Sequence, residues 1–167
     1  MPGNEVVSVS NDISVAISRP ENTTAYTALD VIGVADSVTA ANAGSAIHVF
    51  SGVPKRAFIQ DVSLAVALAA VPSGMAAFRV HYFSESPAAI LDNAAMDLAV
   101  ASLPNYCGFT DLTTVVDYGS SLFTQNAAAN KRVYTPSGVL YVILQTVGGF
   151  TPTSSEDYQL TLRTIEA

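Results

Sequence analysis

The chain has 167 residues, of which 50% are hydrophobic and 13% charged, and its 14 acidic and 7 basic side chains give a formal net charge of −7. A single domain of this length buries about two thirds of its unfolded surface, and a charged fraction well below the roughly one quarter of ordinary soluble domains leaves little charge to coat a free monomer, so part of the surface is expected to face another subunit. Nucleic-acid binding needs a stripe of cations to displace phosphate counterions, and no basic run exceeds the pairs Lys55-Arg56 and Lys131-Arg132; the lone Cys107 excludes an intramolecular disulfide and a cysteine-based metal cluster.

Residues 1 to 12, MPGNEVVSVSND, have neither the basic region nor the apolar core of a signal peptide and are expected to form an extended arm. A single β-sandwich domain is expected over residues 13 to 167. Ile13, Val15 and Ile17 alternate with Ser14, Ala16 and Ser18, and Arg19-Pro20 supplies a turn. Strands fit DVIGV at 30–34 and AIHVF at 46–50, separated by the small, polar loop ADSVTAANAGS at 35–45. After Ser51-Gly52, Val62, Leu64, Val66 and Leu68 alternate with small residues up to the turn Pro72-Ser73-Gly74. The longest apolar run, VSLAVALAAV at 62–71, is shorter than the about 18 residues a membrane helix requires. A soluble protein made in a cytoplasm is expected, with no membrane partner.

Phe78, Val80 and Tyr82 make the next alternating run, and further strands are expected near Phe109, Leu122 and Val133. Pro136-Ser137-Gly138 and Gly148-Gly149 bracket a strand with Leu140, Val142 and Leu144 on one face, and Tyr158, Leu160 and Leu162 define the last. Period two is the mark of strands with one core face. The intervening prolines and glycines preset turn corners, and the spacing is that of sandwiches and barrels. The fold class expected is all-β.

The stretch HYFSESPAAILDNAAMDL, residues 81–98, breaks the period. Leu91, Ala94, Ala95 and Leu98 fall on one face of a helical template, with Pro104 as terminator, whereas Met96, Leu98 and Val100 align on a strand template. A short helical turn within a long β–β connection is favoured. Pro87 blocks ladder pairing just after the strand, and Ala88, Ala89, Ala94 and Ala95 permit close backbone approach. The excursion is therefore a candidate contact with a partner surface, weighed against a solvated loop that closes one end of the sandwich.

Chemistry is sparse. His48 and His81 fall on different strands and lack the clustered spacing of a zinc site. Asp92, Asn93 and Asp97 could offer oxygens to calcium but lack the loop pattern with its glycine and bidentate glutamate, and Asp92 equally suits a helix cap. Gly119-Ser120-Ser121 is not a nucleophile elbow, and Cys107 is read as a structural thiol. The acceptor-like tripeptide Asn22-Thr23-Thr24 has no secretory context. No tryptophan is present, which weakens a sugar-binding reading, although seven tyrosines keep it open. No catalytic residue, metal or cofactor is assigned.

The stretch SRPENTTAYTALDVIG at 18–33 resembles the opening strand and turn of small virion proteins of tailed bacteriophages. AFIQDVSLAVAL, FRVHYFSESPAAILDNAAMDL and LYVILQTVGGFTPTSSEDYQLTLRTIEA follow in the same order over most of the chain. These proteins resemble capsid decoration, or cement, proteins with a jelly-roll-like antiparallel β-sandwich, here with a short helical excursion near 90–103. The resemblance implies a structural virion protein on the capsid surface, binding the major capsid protein and stabilising contacts between capsid subunits. It implies a homo-oligomer, a trimer at three-fold positions. Its contact residues would be Pro87, Ala88, Ala89, Asp92, Ala94 and Ala95. Tail or fibre components and sugar-binding sandwiches are the alternatives, and the position on the virion and the oligomer number stay open.

Overall fold

The structure, a computed structural model, describes residues 10–167. Its strands are β1 (Ser10–Ser18), β2 (Val31–Ile32), β3 (Ile47–Ser51), β4 (Arg56–Val66), β5 (Phe78–Phe83), β6 (Tyr106–Leu112), β7 (Val116–Asp117), β8 (Leu122–Asn126), β9 (Lys131–Tyr134), β10 (Val139–Thr146) and β11 (Asp157–Glu166). One sheet has the order β1-β11-β4-β8-β7, with β9 also on β4; the other has the order β2-β10-β5-β6, with β3 also on β10.

All named pairings are antiparallel. β2 pairs with Leu144 and Gln145 while β3 pairs with residues 139–143, so the two are successive pieces along β10. β8 and β9 divide β4 in the same way. Counting each divided strand once and setting aside the two-residue β7, which pairs with β8, the first pairs with the last, the second with the next to last, and so on inward to the β5–β6 pair. One long antiparallel hairpin rolled over a core in this manner is a jelly roll, and the expected fold class holds.

Alternation places Ile17, Leu64, Leu160, Val80, Val142 and Leu112, all fully buried, between the two sheets. In β4 the parity changes midway: Ala57 and Ile59 face inward, and so do Val62 and Leu64. The pairing with β11 slips between Arg163 and Thr164, leaving Gln60 as the extra residue of a bulge. Such a bulge turns one run of side chains over without ending the strand. It leaves Arg56 and Phe58 on the outer surface.

A smaller apolar cluster lies on the outer face of the second sheet, where Val31, Ala46, Phe83 and Ile143 are covered by Ile90, Met96 and Leu98 of the excursion. The molecule thus has a third, partial layer.

Two expectations change in detail. β1 begins at Ser10, so residues 10–12 belong to the sandwich, paired with residues 163–165 of β11; the remainder of the expected arm, residues 1–9, lies outside the described residues. The helical turn is a 3-10 segment, Val100–Asn105, and residues 91–98 are not helical. Asn93 has φ of 61°, a left-handed conformation that asparagine tolerates and an α-helix does not continue through.

If the inter-sheet core carries the stability, Leu64→Ala should lower the unfolding free energy by about 2–5 kcal/mol. Ser14→Ala on the exposed face should change it by less than about 0.5 kcal/mol, both read from urea midpoints at constant slope.

Candidate functional site: the 84–105 excursion

The connection from β5 to β6 leaves the sandwich beside Phe83, crosses the outer face of the second sheet, and is bonded along β2 before it returns. Ala46 N–H donates to Ile90 C=O (2.9 Å), Asp92 N–H to Gly44 C=O (2.9 Å), Asn93 N–H to Val31 C=O (2.9 Å) and Val31 N–H to Ala94 C=O (2.9 Å). These bonds cover the β2 side of the sheet with backbone, the usual protection of an exposed strand edge. Ile90, Met96 and Leu98 point down onto the sheet.

Asp92 anchors the turn. It is 5% exposed, and its partner Arg19 is 1% exposed. The Tyr26 hydroxyl donates to Asp92 Oδ1 (2.6 Å), as does the Gly33 N–H (2.8 Å). Arg19 Nη2 lies 3.4 Å from Oδ2, and Arg19 Nε donates to the Tyr26 hydroxyl oxygen. Gly33 is required here, because a Cβ would stand 2.7 Å from the Ser45 carbonyl oxygen. Burial, followed by the neighbouring Asp92 charge, raises the Tyr26 phenol, which keeps it a proton donor to the carboxylate.

Glu156 adjoins this cluster, its backbone C=O accepting from Arg19 N–H (3.0 Å) and its Oε2 from the Tyr158 hydroxyl (3.2 Å). Its Oε1 is buried without a partner. Burial pushes its carboxyl up to about 7, against the downward pull of the Tyr158 bond and the Arg19 charge.

The six expected contact residues therefore divide. Ala88, Ala89 and Ala95 are exposed, Ala94 is half-buried, and Pro87 and Asp92 are buried. Asp92 is an internal anchor rather than a contact, since all the polar capacity it has is turned inward. Exposed around the alanines are Leu91 (53%), Val100 (81%) and Leu103 (48%), which the sequence-based set did not include. Ala88, Leu91, Ala95 and Asp97 line a shallow depression of about 430 Å³. The surface is mainly apolar, with alanines set among Leu91, Val100 and Leu103 and Asp97 as its carboxylate.

Asp92 faces inward and Asp97 outward, so the acidic residues do not converge, and among the described residues no group of three or more metal-binding side chains exists. His48 and His81 occupy opposite faces of one sheet. His48 Nε2 donates to the Ile32 carbonyl (2.9 Å). His81 Nε2 donates to Gln145 Oε1 (3.0 Å) while Nδ1 accepts from Tyr106 (3.0 Å). Burial lowers both imidazoles, which keeps them neutral. Cys107 is half-buried, its thiol raised by burial. Tyr26, Tyr82 and Tyr158 are core residues, the exposed Tyr118 and Tyr134 lie on different segments, and the half-buried Tyr106 and Tyr141 pack on either side of Phe83. Among the described residues, no helix is long and apolar enough to cross a membrane.

No model of a known protein family matches the chain, and no curated protein matches it. Among solved structures it is similar to one described as "Structure of a marine algae virus of the order Picornavirales", at 15% identity and a TM-score of 0.26, over 97% of this chain and 70% of that one.

Two outcomes test the anchor. Asp92→Ala leaves Arg19 buried without its counter-charge and should cost about 3–5 kcal/mol, with earlier proteolysis within residues 84–105 than in the wild type. For Glu156, a raised carboxyl keeps its proton in the folded state after the unfolded chain has lost it at about 4.5. The Glu156 contribution to stability should therefore be complete below that value, fall as pH rises toward about 7, and be absent above it. Glu156→Gln should flatten the slope between those limits in urea titrations at stepped pH.

Proposed function

We propose that this protein is a structural component of a virion, a capsid decoration or cement protein whose 84–105 excursion makes an assembly contact. The observation that carries the proposal is the construction of that excursion. It is held by a backbone ladder and a buried ion pair, yet it presents Ala88, Ala89, Leu91, Ala95 and Val100 outward. A loop that only closed the sandwich would need the inward residues alone. Apolar groups held outward on a rigid support are the composition of a contact core rather than of a solvated rim.

The jelly roll is compatible with this reading without entailing it, because one fold hosts many functions. The resemblance of residues 18–33 and of the later strands to phage decoration proteins supplies the virion setting. A cement protein makes no bonds; it adds contact area across neighbouring capsid subunits, and many weak contacts on a symmetric lattice add to a stable coat. The role proposed is accordingly non-enzymatic, with the major capsid protein and further copies of this chain as partners.

Leu91→Glu/Ala95→Glu places two charges on the outward surface without touching the anchor. The variant should keep the wild-type far-UV circular dichroism and melting behaviour and lose at least about tenfold in co-sedimentation with phage heads, the effect of about 1.4 kcal/mol. Unchanged head binding by the folded variant would refute the contact; absence of head binding by the wild type would refute the capsid role.

A further inference from the structure

The seven basic side chains fall into two groups. Arg19, Arg79 and Arg163 are each paired with an aspartate, Asp92, Asp111 and Asp12 respectively. The other four, Lys55, Arg56, Lys131 and Arg132, make no ion pair among the described residues. Antiparallel pairing brings two of them together: β9 lies on β4 with Tyr134 opposite Arg56 and Arg132 opposite Phe58. Arg56 and Arg132 thus meet on the outer face at one corner of a chain with net charge −7, while Lys131, opposite the inward-facing Ile59, holds its Nζ 5.8 Å from the Phe109 ring. Glu166, opposite Ala57 on the far side of β4, adjoins the corner but forms no ion pair with it. Phe58 (38% exposed) and Tyr134 (57% exposed) stand beside the cations. A depression of about 620 Å³ opens there, lined by Arg56, Cys107, Arg132 and Tyr134.

The strand order puts β6, next to this corner, at one side of the second sheet and β2 at the other. The excursion covers the β2 side. Its depression adjoins a second one lined by Asp36 and Gly44, Leu91 being common to both. The β2 side therefore offers an apolar centre, Leu91 and Ala95, between two carboxylates, the half-buried Asp36, whose Oδ1 accepts from Val38 N–H, and the exposed Asp97. None of the four unpaired cations lies there.

We propose that the β4–β9 corner of one copy receives the excursion edge of a second copy, Arg56 and Arg132 facing Asp36 and Asp97, and Phe58 and Tyr134 facing Leu91 and Ala95. This rests on the excursion being an assembly surface, and it names the partner. A second copy is favoured over a polyanion because the corner pairs its cations with exposed aromatic area, and the excursion edge matches both features, charge with opposite charge and apolar with apolar. The two patches differ and lie at different sides of the second sheet. The contact is therefore heterologous, and its repetition gives a closed ring or an open chain.

Light scattering after size exclusion tests this on the full chain. The wild type should associate at low ionic strength, and its association should weaken about tenfold as screening shortens the reach of the charges. Arg56→Glu/Arg132→Glu should abolish association, and so should Asp36→Lys/Asp97→Lys, because each leaves like charges face to face. The chain carrying all four substitutions restores opposite signs and should associate again. Arg56, Arg132 and Asp97 are exposed and Asp36 is half-buried, and circular dichroism checks that each variant is folded. A wild type that stays monomeric at every salt concentration overturns the inference. So does an oligomer that neither charge pair disturbs, or a fourfold variant that stays dissociated. Binding of a single-stranded oligonucleotide at the corner, lost in Arg56→Glu/Arg132→Glu with no change in self-association, would assign the corner to a polyanion instead. Head co-sedimentation reports separately on the virion role: head binding without self-association overturns this inference alone.

Discussion

A carboxylate carried into a protein interior must be met there by charge and hydrogen bonds, and Asp92 is met from three directions. Arg19 follows the end of β1, Tyr26 lies in the connection to β2, and Gly33 follows β2 directly. The residue they receive comes from a distant connection, between β5 and β6. Burying an ion pair is weak support for stability taken alone, because desolvation opposes the attraction, but it discriminates strongly between arrangements. Only a path that brings Asp92 to this point leaves Arg19 neutralised. The excursion is thereby committed to one course over the second sheet.

That commitment determines the outer surface. With Asp92 held inward and the backbone on both sides bonded to residues 29–46, the side chains between must divide into those that cover Val31 and Phe83 and those that face solvent. Ile90, Met96 and Leu98 fill the first role; Leu91, Ala95 and Asp97 fall to the second. A segment fixed this firmly presents its exposed groups without the entropy loss that a mobile loop incurs on binding. The same sandwich holds the cationic corner by a different device, the bulge at Gln60, which keeps Arg56 and Phe58 on the outer face while Ala57 and Ile59 enter the core. Polarity of the surface follows from two local irregularities in an otherwise regular pleat.

Much of this was legible beforehand. Alternation located β1, β5, β10 and β11 and the core half of β4, since a pleated strand with one buried face leaves its period in the sequence whatever its neighbours are. The short strands β2, β3 and β9 fell within the expected stretches, while β7, with Val116 and Asp117 both exposed, has no core face to mark it. The excursion was visible as a break in period and as a contact candidate, but its helical pattern was coincidental. Leu91 and Leu98 sit on one helical face in sequence, yet the first is exposed and the second packs on the sheet, because backbone bonds to β2 outweigh the weak preference of a short isolated helix.

Composition and pattern by themselves determined that the chain is all-β, that its core faces alternate, and that little charge remains for its surface, because these properties depend on each residue and its near neighbours along the chain. The tertiary structure alone decided that Asp92 is an anchor and not a contact, that Arg56 and Arg132 meet at one corner, and that this corner and the Leu91–Asp97 edge of the excursion lie at different sides of the second sheet. Each of those facts depends on which strands lie side by side. Strand partners are chosen by packing and by the satisfaction of buried charge across separations as long as the 73 residues between Arg19 and Asp92, and a local pattern carries no record of such choices.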